Sequence, residues 1–89
     1  MKAQIWKYTI PKGVNSFTLD IPSGGMFISV QVQNGEICLW FTVATHLQKK
    51  TRTFKCVLTG LDFDLSISDR YLGTCQLGQY VVHIFETTA

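Results

Sequence analysis

The stretch "SVQVQNGEICLW", Ser29 to Trp40, decides the fold class. Two runs of alternating side chains meet at Asn34-Gly35, the dipeptide that supplies both positive-φ residues of a type I′ turn. Counting outward from that turn pairs Gln33 with Glu36, Val32 with Ile37, Gln31 with Cys38, Val30 with Leu39, Ser29 with Trp40 and Ile28 with Phe41. Val32, Ile37, Val30, Leu39, Ile28 and Phe41 then share one face, as a core stripe does. The other face carries Ser29, Gln31, Gln33, Cys38 and Trp40, with Phe27 beyond, an unusual mixture for plain solvated surface.

Period two recurs along the whole chain, and no stretch of helical length keeps apolar residues at three-and-four spacing. "AQIWKYTI" (Ala3 to Ile10) is a strand closed by "PKG", and "SFTLDI" is a second, closed by "PSGG". "MFISVQVQ" and "EICLWFTV" form the central hairpin. "RTFKCVLT", Arg52 to Thr59, follows the polar basic loop "THLQKKT". "GLDFDLSISD" has no clear period and reads as a loop. "RYLGTCQL" and "QYVVHIFE" make a second hairpin turning at Gly78-Gln79 in the glycine-first manner of a type II′ turn, with Thr74 opposite His83 and Leu72 opposite Phe85. About seven short strands with tight turns predict one all-β domain over 1–89, a small antiparallel sandwich or barrel.

The 89-residue chain is near the small end of what buries an adequate core alone. Hydrophobic residues are 46% and charged ones 16%, which fits a globule and leaves apolar surface for a second copy to cover, so a homo-oligomer is expected. The net charge of +2 does not itself imply nucleic acid, but Lys49, Lys50, Arg52 and Lys55 lie in a stretch without acids from Glu36 to Asp62. Cys38, Cys56 and Cys75 are odd in number and widely spaced, and "MKAQIWKYTIPK" lacks the apolar run of a secretory leader. Reduced thiols in a cytoplasm are therefore expected, with no membrane as partner.

No pair of cysteines or histidines has zinc-finger spacing, no G-x-S-x-G elbow occurs, and the glycines of "YLGTCQLGQY" are followed by neither lysine nor helix. No cofactor, metal or catalytic group is implied, and the chain reads as a binder rather than an enzyme. The candidate ligand residues follow from their chemistry. Trp40 or Trp6 would stack on a base, and Gln31 and Gln33 would read its edge. Lys7, Lys49, Lys50 and Arg52 would neutralise phosphates, Arg52 bidentately, and His83 would donate to a phosphate or ribose. Two competing readings stand beside these. Trp6, Tyr8 and Ile10 alternate as a core stripe would, and the Gln31/Trp40 face also suits a subunit interface.

"IWKY", "SVQVQNGEICLW", Thr59-Gly60 and "YLGTCQL…VVHIFE", in that order, resemble a family of short phage- and prophage-encoded proteins of unknown function. The resemblance covers nearly the whole chain, but "THLQKKTRTFK" falls where such proteins vary. It implies an accessory protein acting in the bacterial host cytoplasm and carries over no catalytic residue. Within that class the polar aromatic face, the acid-free basic stretch and the missing catalytic groups lead to an expectation. The chain would sequester a small anionic ligand, a cyclic or linear nucleotide serving as a host immune signal. The alternative is a protein-binding inhibitor or structural module with a host protein partner, presenting an apolar patch or a pairable edge strand.

Overall fold

The computed structural model describes residues 1–88 and contains seven antiparallel strands and no helix among them. They are β1 (Gln4–Thr9), β2 (Ser16–Pro22), β3 (Met26–Gln33), β4 (Glu36–Val43), β5 (Lys49–Leu58), β6 (Asp69–Leu77) and β7 (Tyr80–Thr87). A three-stranded sheet, β1-β4-β3, faces a four-stranded sheet, β2-β5-β7-β6, as a small all-β sandwich.

Asn34 and Gly35 adopt φ of 53° and 75°, the type I′ turn that this dipeptide predicts. The expected pairs run true from Gln33↔Glu36 to Ser29↔Trp40. The sixth does not. A bulge at Ile28 sets Phe27, rather than Ile28, opposite Phe41. Phe27 therefore turns inward, edge-on to Phe41 at 5.8 Å, while Ile28 faces solvent. The extra residue moves the larger ring into the core and bends the strand. The β6–β7 hairpin repeats the pattern: Thr74 lies opposite His83 as expected, but a bulge at Leu72 puts Tyr71 opposite Phe85.

The two bulged strands are those that close the sandwich along one side. A Cβ placed on Gly73 of β6 would lie 2.6 Å from Val30 Cγ1 of β3, so this approach depends on glycine. Gly25 has a similar role after the β2 turn, where a Cβ would lie 2.6 Å from Ile21 Cγ2.

β5 begins at Lys49, three residues before the expected Arg52. The ladder to β2 carries it there, from Ser16↔Lys55 to Pro22↔Lys49, and Thr51 Oγ1 donates to Asp20 Oδ1 at 2.7 Å. Backbone pairing outweighs the polar side chains that make "QKKT" resemble a loop. The core centres on Phe41 and Phe54, with Tyr8 edge-on to Phe41 and Phe17 stacked on Phe54 at 5.1 Å.

One ion pair lies inside this core. Glu86 is 7% exposed, and Arg52 donates to its two oxygens from Nε (2.5 Å) and Nη2 (2.7 Å). Arg52 Nη1 donates to the Gly25 carbonyl at 2.6 Å, and the guanidinium carbon stands 5.1 Å from the Phe41 ring centre. The sandwich thus holds the Glu86 carboxylate with a bidentate partner.

Candidate functional site

In an antiparallel sheet, directly opposed residues point to the same side. The register of β1-β4-β3 therefore builds ranks of three across its outer face: Lys7, Trp40 and Ser29, then Thr9, Cys38 and Gln31. Glu36 and Gln33 follow towards the turn, and Ile5, Thr42 and Met26 lie at the other end. Four of the sequence candidates, Lys7, Gln31, Gln33 and Trp40, thus meet on one surface.

Their side chains are already linked. Lys7 Nζ donates to Gln33 Oε1 at 2.8 Å, a diagonal bond that passes over β4 at Cys38. Cys38 is 2% exposed although it belongs to the outer face, and its thiol lies 3.7 Å from Thr9 Oγ1. Gln31 Nε2 donates to Ser29 Oγ at 3.3 Å. Beside these, Ile5, Ile28, Ser29, Gln31 and Trp40 enclose a shallow hollow of about 250 Å³. Ile5, 64% exposed, and Ile28, 47%, make its rim apolar, and Met26, 69% exposed, lies beyond it at the end of the same face. Lys7 and Glu36 are the face's two charged residues, so it is nearly neutral and rich in amides.

The remaining candidates lie elsewhere. Trp6 neighbours Lys7 on β1 and so points to the opposite side, where it packs against the core and donates from Nε1 to Gln4 Oε1 at 2.8 Å. Lys49 Nζ stands 5.7 Å from the Trp6 ring centre, a cation–π pair on the flank of the sandwich. Lys50 is exposed on β5 opposite Ile21. The expectation that Arg52 neutralises a phosphate meets a guanidinium whose three nitrogens are held by Glu86 and Gly25. His83 lies on the other sheet, with Nε2 2.7 Å from Thr59 Oγ1 and Nδ1 2.9 Å from Thr74 Oγ1. The Tyr71 hydroxyl also contacts Thr74 Oγ1 there. The acid-free basic stretch therefore does not form a single patch around Trp40.

Sequence reasoning missed Ile5, Ile28 and Met26. Ile5 was within reach, since it alternates with the Trp6, Tyr8 and Ile10 stripe. Ile28 was not, because a bulge shifts parity without a compositional mark. Among the described residues, no group of three or more His, Cys, Asp or Glu side chains lies close enough together to hold a metal ion, and no helix is long and apolar enough to cross a membrane.

No curated protein and no solved structure matches the chain. A family model matches it over residues 1–89, and the protein belongs to that family, a domain of unknown function (DUF7352).

Proposed function

We propose that the protein is a non-catalytic binding module that holds a small nucleotide on the outer face of β1-β4-β3. The observation that supports this is the convergence of Trp40, Gln31 and Ser29 around one hollow, with Lys7 and Gln33 beside it. The indole offers a stacking face, the Gln31 amide both donates and accepts, and Lys7 faces the ligand's phosphate. With Arg52 engaged inside the core, Lys7 is the cation available on this surface, which favours a ligand of low charge such as a cyclic nucleotide. The resemblance to phage-encoded proteins supports the further reading that the ligand is a host immune signal, sequestered in the bacterial cytoplasm and released unchanged.

The test is a thermal-shift and calorimetric screen against cyclic and linear nucleotides, with the recovered ligand checked by chromatography. Binding should quench tryptophan emission, vanish in Trp40→Ala and persist in Trp6→Phe, and the ligand should return intact. If no nucleotide stabilises the protein, the reading is wrong.

A second reading, an interaction module that pairs with a protein or a second copy through this face, is favoured by the exposed Ile5, Met26 and Ile28 around the indole. It predicts self-association, or capture of a host protein, that Ile28→Glu abolishes. Sedimentation of the wild type and the variant would separate the two readings.

A further inference from the structure

A second concavity lies at the end of the sandwich where both two-residue hairpins turn. It is a cleft of about 800 Å³ between the β1–β2 loop, the last residues of β5, the 61–64 segment and the β6–β7 hairpin. We propose that this cleft is a binding site for an uncharged, apolar small molecule, independent of the sheet face discussed above.

Topology explains why the cleft exists. β2 pairs with β5 only as far as Ser16↔Lys55, so β5 continues to Leu58 with one edge free of a strand partner. The chain does not pair with that edge but turns back at Gly60 and lies over the outer face, where Phe63 packs against Phe85 at 5.5 Å. Two hydrogen bonds tie this segment to β5: Leu61 N donates to Leu58 O at 3.3 Å, and Lys55 Nζ donates to the Asp64 carbonyl at 2.8 Å. Lys55 is fixed in turn by Asp69 at 2.6 Å. These bonds fix the position of the outer wall.

The floor is largely the core: Ile10, Ile37 and Val82 belong to it and Cys56, Leu58 and Leu77 pack against it, while Val57 lines the cleft from the outer side of β5. Ile10, Ile37 and Val82 are buried, and so is Val57 on the other side of the strand. An ordered water needs two to four polar partners, and these side chains offer none. Burial pushes the Cys56 thiol up to about 11, so it presents no charge near neutral pH. The volume falls within the range that buries most of a drug-sized ligand's surface.

The rim argues for a neutral occupant. Lys55 is already neutralised by Asp69, which leaves Lys12 against Asp62 and Asp64, and none of these three takes part in an ion pair among the described residues. This rim is net negative and repels an anion, and the apolar floor gives a cation no polar partner to replace its lost hydration. An uncharged apolar molecule meets neither barrier and gains the full apolar contact of the floor.

The experiment uses Nile red, an uncharged dye, with the intact protein. Its emission should rise saturably, and bound dye should slow alkylation of Cys56 by iodoacetamide at pH 9 several-fold, read by peptide mass spectrometry. Val14→Trp, which places an indole in the cleft from a loop outside every strand, should weaken binding at least several-fold. Trp40→Ala should leave dye affinity unchanged, which separates this site from the sheet face whatever the nucleotide screen returns. The proposal is overturned if the dye does not saturate, or if Cys56 reacts as fast with dye as without. Binding that survives Val14→Trp would place the dye on the exposed Leu65 and Ile67 instead and would equally overturn it. Equal affinity for the anionic anilinonaphthalene sulfonate would overturn the assignment of a neutral ligand.

Discussion

Replacing Arg52 separates a structural role from a ligand-binding one. Its guanidinium makes two bonds to Glu86 and one to the Gly25 carbonyl, and Glu86 is 7% exposed. Arg52→Ala leaves that carboxylate buried without a partner, a change that costs about 3–5 kcal/mol at buried pairs. The arginine side chain is 22% exposed, so water reaches part of the pair and the lower end, about 3 kcal/mol, is expected. A domain of 89 residues has roughly 4–13 kcal/mol in total, so this is a large fraction. In Tm it corresponds to about 12–24 °C at this size. Arg52→Lys keeps the charge but cannot make the fork and should lose about 1–2 kcal/mol. The double change Arg52→Met with Glu86→Leu removes both charges and should recover most of the loss, leaving about 1 kcal/mol for the unpaired Gly25 carbonyl. Urea unfolding of the four proteins measures each step. A loss below about 1 kcal/mol for Arg52→Ala, or a double variant no better than the single, would refute the account. If the folded Arg52→Ala protein binds nucleotides normally in the cold, Arg52 has no part in the ligand site.

Gly73→Ala should destabilise by about 1–3 kcal/mol, since its methyl group would meet Val30 Cγ1 at the contact between β3 and β6, and Val30→Ala in the same chain should relieve part of that. Tyr8→Phe should be neutral or stabilising by up to about 1 kcal/mol in urea unfolding, because the buried Tyr8 hydroxyl has no hydrogen-bond partner among the described residues. Asp69 is held below the ordinary carboxylate range, first by the Lys55 hydrogen bond and next by the Ser66 N–H. A depressed carboxylate stabilises the fold above its unfolded value of about 3.9, and that contribution disappears as pH falls through the lower folded value. The urea midpoint of Asp69→Asn should therefore vary less than wild type between neutral pH and acid.

The sandwich was legible because its strongest signals are local. Asn34-Gly35 and Gly78-Gln79 set two registers, and each held for five pairs outward from its turn. Both failed at the sixth, where Ile28 and Leu72 bulge at the side that closes the two sheets together. No local composition marks such a bulge, because its cause is the approach of β3 to β6 rather than anything within either strand. Arg52 was misread for a related reason. It stands in a run of polar residues, and the carboxylate that holds it is 34 residues away in sequence. A buried charge can be recognised only once its partner is placed. The start of β5 was hidden likewise, since Lys49 to Thr51 owe their strand to pairing with β2 and not to their own side chains.

Parity sets the chemistry of the sheet face, and one inserted residue adjusts it. In an unbroken ladder Phe27 would lie outward and Ile28 would pack on Phe41, giving the face a second aromatic ring near Trp40. The bulge exchanges the two, so the phenyl ring fills the core and a branched aliphatic side chain forms one wall of the hollow. The indole is left as the outer face's aromatic surface, flanked by Gln31 and Ser29. Parity also divides the tryptophans, because Trp6 and Lys7 are neighbours on β1 and must point apart. The same rule places Lys7 beside Trp40 while Lys49 stays on the flank against Trp6. On the proposed nucleotide reading, discrimination on this face would rest on ring stacking and amide hydrogen bonds, with one ammonium to match one phosphate. A ligand bearing several phosphates would find no second cation within its three strands, so affinity should fall from cyclic mononucleotides to triphosphates rather than rise with charge.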